Sequence, residues 1–195
     1  SFPWNPSEVA AAVLSKSSWA VLGLIYQIEL FTQTHYKESI GPDENLSELY
    51  KDLFLFHWKE EVTHALMDEL EWPIEDQKLT PAEREQAVTE LIELVTDVDG
   101  ILQVQSAADV EYFSQNCGRS LRAEEMKKIL TGVLEAYRWQ YIFSGTTHHS
   151  FTALSASRVA SSVASVAAVS AAISSRALAT GMKPLMRAQV CDHEI

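Results

Sequence analysis

Thr80-Pro81-Ala82-Glu83 opens a stretch of this chain that has to be helical for a long way. The threonine can accept a hydrogen bond from the Glu83 amide while the Glu83 carboxylate reaches back to the start. Proline meanwhile occupies a first-turn position that needs no amide donor. Apolar residues continue on one face through Val95, Val98 and Leu102, which predicts a helix to about Gln115. The remaining punctuation is of the same kind. Asn5-Pro6-Ser7-Glu8 predicts a helix start, with Val13, Leu14, Leu22, Ile25, Tyr26 and Ile28 carrying one long helix to about Ser39. "GPDEN" at 41–45 reads as a turn. A second helix is expected from about Leu46 to Leu70, ending near Trp72-Pro73, where the proline disfavours continuation. Asn116-Cys117-Gly118 is expected to stop the third helix, and Ser120 to cap a fourth through "AEEMKKILTGVLEAYRWQYIF". No alternating strand pattern is visible, so the fold class is all-α: four helices with short to medium connections, arranged as an antiparallel four-helix bundle.

The chain of 195 residues suffices for one domain with a substantial core. Its formal net charge of −12 argues against nucleic acid and against anionic membrane surfaces as partners. Residues 1–150 are assigned to the bundle. Residues 151–195 differ in kind: from Ala136 to Cys191 there is no Asp or Glu, and "SASRVASSVASVAAVSAAISSRALAT" is nearly all Ser, Ala and Val. This Ala/Ser-rich C-terminal extension is expected to be a peripheral helix or a poorly ordered tail. It is too short and serine-rich to span a membrane. Cys117 and Cys191 form no metal or redox motif, and "SFPWNPSEV" lacks the features of a secretory signal, so a cytoplasmic location is expected.

The residues that carry chemistry lie in "FHWKEEVTHALMDELEW", residues 56–72. His57, Glu61 and His64 are spaced i, i+4, i+7 and share one helical face. A carboxylate at Glu61 can bridge two cations while His64, one turn on, offers a neutral nitrogen to one of them. Glu29, in "LIYQIELFTQTHY", follows an apolar run, where a carboxylate is costly unless paired or metal-bound. Against this, one Glu-x-x-His is expected by chance roughly half the time in so acidic a chain. His57 also reads as a core histidine, and Glu60 as a solvated residue. Asp68 is a plausible acceptor for the free ring N–H of His64. Trp58, Trp139, Tyr112 and Tyr141 read as core packing, Arg138 as an inter-helix ion pair, and His35 as off the face of Glu29.

The order Glu29, about thirty residues, then Glu60-Glu61-x-x-His64 resembles the ferritin-like di-iron carboxylate proteins. It is particularly similar to the p-aminobenzoate N-oxygenase group, over residues 6–150. The resemblance implies a left-handed bundle around a dinuclear iron (Fe) or manganese (Mn) centre that reacts with oxygen or peroxide, as an oxidase or oxygenase on a small substrate. It further implies a carboxylate from the third helix and a Glu-x-x-His from the fourth. Asp109, on the face of Gln105 and Leu102, is preferred for the first, with Glu111 as rival. On the fourth helix the chain departs from the pattern, since Glu135 is followed by Arg138, which cannot ligate a metal. His148, with His149 as alternative, is the nearest candidate. The expected metal set is therefore Glu29, Glu61, His64, His57, Asp109 and His148. A ferroxidase or iron-handling protein, a helical protein with a lost site, and a haem-oxygenase-like bundle remain the rival readings. A homodimer is compatible with all of them.

Overall fold

The computed structural model describes residues 5–158, and among them the regular elements are all helices, with no strand. The long first helix is in fact two. Asn5 caps as expected, accepting the Ser7 amide at 3.0 Å, and starts α1, Pro6–Leu14, which buries no residue. Ser17 then adopts extended backbone and its hydroxyl accepts the Ala20 amide at 3.4 Å, starting α2, Ser18–His35. The break is fixed from outside. The Ser17 amide donates to Glu90 at 2.8 Å, and Lys16 pairs with Glu93 at 2.6 Å, so two acids of a later helix hold the chain open here.

Past His35 the chain makes a π-helical turn, Tyr36–Ile40, before α3, Glu48–Asp76. The expected stop at Trp72-Pro73 does not occur, and α3 runs through the proline. The helix is pinned on both sides of it. Trp72 is buried and its indole donates to the Trp19 carbonyl at 3.0 Å. Four residues on, Asp76 accepts from the Trp19 indole at 3.0 Å and from Arg84 at 2.8 and 3.1 Å. These bonds outweigh the one backbone bond a proline removes. The Thr80 capping box forms as expected and α4 spans Pro81–Asn116. The fourth helix, α5, covers Ala123–Arg138. It begins at Arg122 rather than Ser120, because the Glu125 carboxylate takes the Arg122 amide at 3.0 Å. A second π-helical turn, Trp139–Phe143, leads into the short α6, Ser144–Thr146, and then α7, His149–Arg158.

Helix α2 is the hub. It runs antiparallel to α3, as the succession Trp19–Trp72, Tyr26–Glu69 and Gln33–Glu61 shows, and it also packs on α4 and on residues 139–146. Helix α4 in turn packs on α5. The core collects Trp19, Leu24, Tyr26, Trp72, Leu91 and Phe151. Because Phe151 and Ser155 are buried, the packed unit extends beyond residue 150. The remainder of the expected tail, from 159, lies outside the described residues. No helix among those described is long and apolar enough to cross a membrane.

The π turn at 139–143 meets α2 at unusually short range. Buried Gln27 donates its side-chain amide to the carbonyls of Tyr141 and Ile142, at 3.0 and 3.3 Å. One turn on, a Cβ at Gly145 would sit 2.3 Å from the Gln27 carbonyl oxygen. Gly145→Ala is therefore expected to force the two segments apart and destabilise the fold by about 1–3 kcal/mol, despite alanine's better helix propensity. A lowered urea midpoint at unchanged slope is the result to look for.

Candidate functional site

The site is built on the α2–α3 pair. Along α3 the inward row is Trp58, Glu61, Ala65, Asp68 and Trp72, at helical spacing, so Glu61 is carried inward by the same periodicity that buries Ala65 and Trp72. From α2, Glu29 reaches the same level. One ligand atom each from Glu29, Glu61 and His64 lie within 4.8 Å of one another. The two oxygens of Glu61 are divided between two rings. Oε1 is 3.1 Å from Nδ1 of His57, and Oε2 is 3.2 Å from Nδ1 of His64. Nδ1 of His64 is also 3.9 Å from Oε2 of Glu29. The carboxylates are nearly buried, at 13% and 12% side-chain exposure, whereas both imidazoles are about half exposed.

The electrostatics of the pair follow from that burial. Desolvation, then the adjacent Glu61 carboxylate, pushes the Glu29 carboxyl up to about 8. Glu61 ends below the ordinary carboxylate value. Burial pulls it upward, but hydrogen bonds from the Glu29 acid and from His64, and the charge of His57, pull it further down. One proton on Glu29, directed at Glu61, is thus the resting arrangement near neutral pH. Without that proton, Oε2 of Glu29 is buried with no hydrogen-bond donor among the described residues.

Two other buried polar atoms lack partners among the described residues, the indole nitrogen of Trp58 and Oδ2 of Asp68. Both stand on the inward row of α3, on either side of Glu61. Burial, then the charge of Glu71, raises the Asp68 carboxyl. No hydrogen bond joins Asp68 to His64, whose Nδ1 lies 3.2 Å from Glu61. Trp58 does more than the packing its sequence position suggests. It stacks on Tyr36 at 5.7 Å, but its unpaired N–H places it at the edge of the site. The sequence signal for it was its position three residues before Glu61 on the inward row.

The expected ligands from the second half of the chain do not join this cluster. Asp109 is half-buried between α4 and α5, where Oδ1 accepts from Gln105 at 2.9 Å and Oδ2 from the Tyr137 hydroxyl at 2.6 Å. Burial, then that bond to Asp109, pushes the Tyr137 phenol up to about 12, so it stays a donor. Glu111 is exposed and its carboxylate accepts from Gln115 on its own helix at 3.3 Å. His148 follows the turn at Thr147, accepts the Ser150 amide at 3.3 Å and lies against His149 with the rings tilted and their centroids 4.4 Å apart. Burial, then the neighbouring His149, lowers its basicity. Tyr112, expected as core packing, is 70% exposed. Arg138 is the ion pair the sequence suggested, gripping Asp99 of α4 with two bonds of 2.6 and 2.9 Å. His35 stays apart from Glu29, facing Gln140 at 3.2 Å. Glu60 is solvent-exposed, also as expected.

Searches against protein-family models, curated proteins and solved structures return no match to this chain.

Proposed function

We propose that Glu29, Glu61 and His64 hold a divalent transition metal, iron or manganese, and that the chain is a ferritin-like four-helix protein acting as a non-haem oxidase or oxygenase on a small substrate. The observation that carries this reading is the buried Oε2 of Glu29, without a donor among the described residues and facing Glu61 and His64. A buried carboxylate placed against a second carboxylate is unfavourable unless a proton or a cation sits between them. The donor set suits the ion. Two carboxylates and one imidazole favour iron or manganese over softer metals. Ligand bonds of about 2.1 Å place neighbouring donor atoms roughly 3–4 Å apart, near the spacing present here.

His57 supports the dinuclear form of the proposal. It stands on the other oxygen of Glu61, so Glu29, Glu61 and His64 would hold one ion and His57, with Glu61, could help hold a second. The described residues supply no Asp109 or His148 to that second ion, so its other ligands have to come from solvent or from elsewhere. Iron or manganese bound here would supply electrons for the reduction of oxygen or peroxide. The chain's own part is more modest. Glu61 orients both rings, Glu29 gives up a proton as the cation enters, and Trp58, Ala65 and Trp72 on the same row limit water. The half-exposed imidazoles favour one alternative, iron handling with no organic substrate.

Metal analysis after anaerobic loading with ferrous iron or manganese tests the reading. The wild type is expected to retain at least one ion per chain. Glu61→Ala should retain almost none, while Glu60→Ala, altering an exposed neighbour, should behave as wild type. A loaded wild type that holds no metal above a Glu61→Ala baseline would remove the proposal. Oxygen consumption by the loaded protein with ferrous iron alone would favour iron handling.

A further inference from the structure

Helix α3 has two opposite faces built for burial, an inward one that sets Glu61 and Asp68 among apolar residues and an outer apolar one, and only the first is covered. Its inward row packs on α2. On the far side, Leu49, Leu53, Phe56, Met67, Leu70 and Ile74 are 54–81% exposed. With Glu60 and Thr63 between them, these residues follow an unbroken 4-3-4-3-4-3-4 spacing, the a/d pattern of a coiled-coil seam. A helix with apolar residues on both sides is ordinarily covered on both sides. We propose that a second copy of this chain covers the outer face, packing antiparallel along α3 about a two-fold axis between residues 61 and 62.

The register is self-complementary. An antiparallel copy centred there sets Leu49 against Ile74, Leu53 against Leu70, and Phe56 against Met67, each pair occurring twice. The two polar seam positions meet each other, so the Thr63 hydroxyl of one copy faces the Glu60 carboxylate of the other. A polar pair at the centre of an apolar seam fixes register. The flanking positions are compatible too. Lys59 falls beside Leu66, Asp52 beside Pro73, and Tyr50 beside Glu71, so no two carboxylates are brought together. The size is also right. Six side chains, each exposing on the order of 100 Å² of apolar surface, along a seam of about 37 Å, approach the roughly 800 Å² per partner of a stable interface. That lies at the upper end of the apolar patch a monomer normally leaves in water.

The same register lays His57 of the second copy alongside His64, covering the exposed side of the Glu29–Glu61–His64 cluster. The dimer itself does not rest on the metal reading, and the two fail separately. A monomer that binds iron overturns only the seam, and a dimer that binds none overturns only the metal site.

Sedimentation or light scattering of the full chain is expected to give twice the mass of one chain. Leu53→Glu combined with Leu70→Glu sets glutamate against glutamate at two places and should weaken association roughly 100-fold or more. Both side chains are more than half exposed, so the helical circular dichroism should not change. Orientation is read by cross-linking, with Cys117→Ser and Cys191→Ser in every sample. Leu49→Cys mixed with Ile74→Cys should form a disulfide-linked dimer, while Leu49→Cys alone should not, because those residues lie at opposite ends. A monomeric wild type at about 100 µM overturns the proposal. So does cross-linking by Leu49→Cys alone, which signals parallel packing. A full chain that becomes dimeric only when residues 159–195 are removed also overturns it, since that segment then occupies the seam.

Discussion

Trp72→Ala is expected to cost about 3–5 kcal/mol of stability, the upper range for emptying a buried aromatic site. Set against the roughly 5–15 kcal/mol that holds a typical domain together, this leaves the variant near its unfolding threshold. The size follows from what surrounds the ring. Trp72 is 1% exposed and touches three other aromatics, with centroid distances of 4.9 Å to Trp19, 6.0 Å to Tyr26 and 5.5 Å to Phe151. Those rings come from α2 and α7, so one side chain joins three helices. Gly23 of α2 is part of the fit, since a Cβ there would lie 2.9 Å from the indole. Loss of the ring also removes the indole N–H bond to the Trp19 carbonyl. Trp72→Phe keeps most of the packing but not that bond, and should cost clearly less than Trp72→Ala. Urea unfolding measures both, and a loss under about 1 kcal/mol for Trp72→Ala would contradict the core described above.

That ring also shows where the sequence was informative and where it was not. Trp72-Pro73 reads as a helix end because local chemistry disfavours continuation. The bonds that carry α3 past it come from Trp19, more than fifty residues away, and from Arg84 on the next helix, and no rule for a single helix anticipates them. Ser17 is the reverse case. Its capping role was visible in principle, but a continuous apolar pattern on either side hid the break. The Glu61–His64 pair was legible because both residues sit on one helix at fixed spacing. Glu29 was legible because the turn at 41–45 makes α2 and α3 antiparallel neighbours. Asp109 was placed correctly on a half-buried face, yet periodicity says nothing about Tyr137 on another helix, which takes its second oxygen. The π turns after His35 and Arg138 each change the helical phase. An extrapolation from Glu135 through Arg138 to His148 therefore loses its register. The outer stripe of α3 was available in the sequence too, but only exposure distinguishes it from a core face.

Glu29→Gln is expected to stabilise the metal-free protein at neutral and alkaline pH while abolishing metal retention. The sign follows from the Glu29 carboxyl, which is raised to about 8 in the folded chain from an ordinary 4.5. Between those values the folded protein keeps a proton that the unfolded chain has released. Stability from this group is therefore complete below about pH 4.5, declines as pH rises, and is lost once pH passes about 8. Glu61, held below the ordinary value, acts in the opposite sense, and its contribution is lost as pH falls below 4.5. The amide that replaces the Glu29 carboxyl never ionises and still offers an N–H to Glu61. The variant should thus lack the wild-type decline between pH 5 and 8, and at pH 8 should gain roughly 1 kcal/mol, in the range of single stabilising substitutions. Metal reverses the trend for the wild type alone. A cation needs the Glu29 oxygen deprotonated, so retention by the wild type should strengthen with pH over the same window and release a proton on binding. Thermal unfolding across pH 5–9, with and without ferrous iron or manganese, separates the two effects. If wild type and Glu29→Gln follow parallel pH curves without metal, Glu29 is not holding the proton. If metal stabilises both equally, Glu29 is not a ligand. A variant that folds better and binds worse is what is expected where a buried carboxylate is retained for a ligand rather than for the fold.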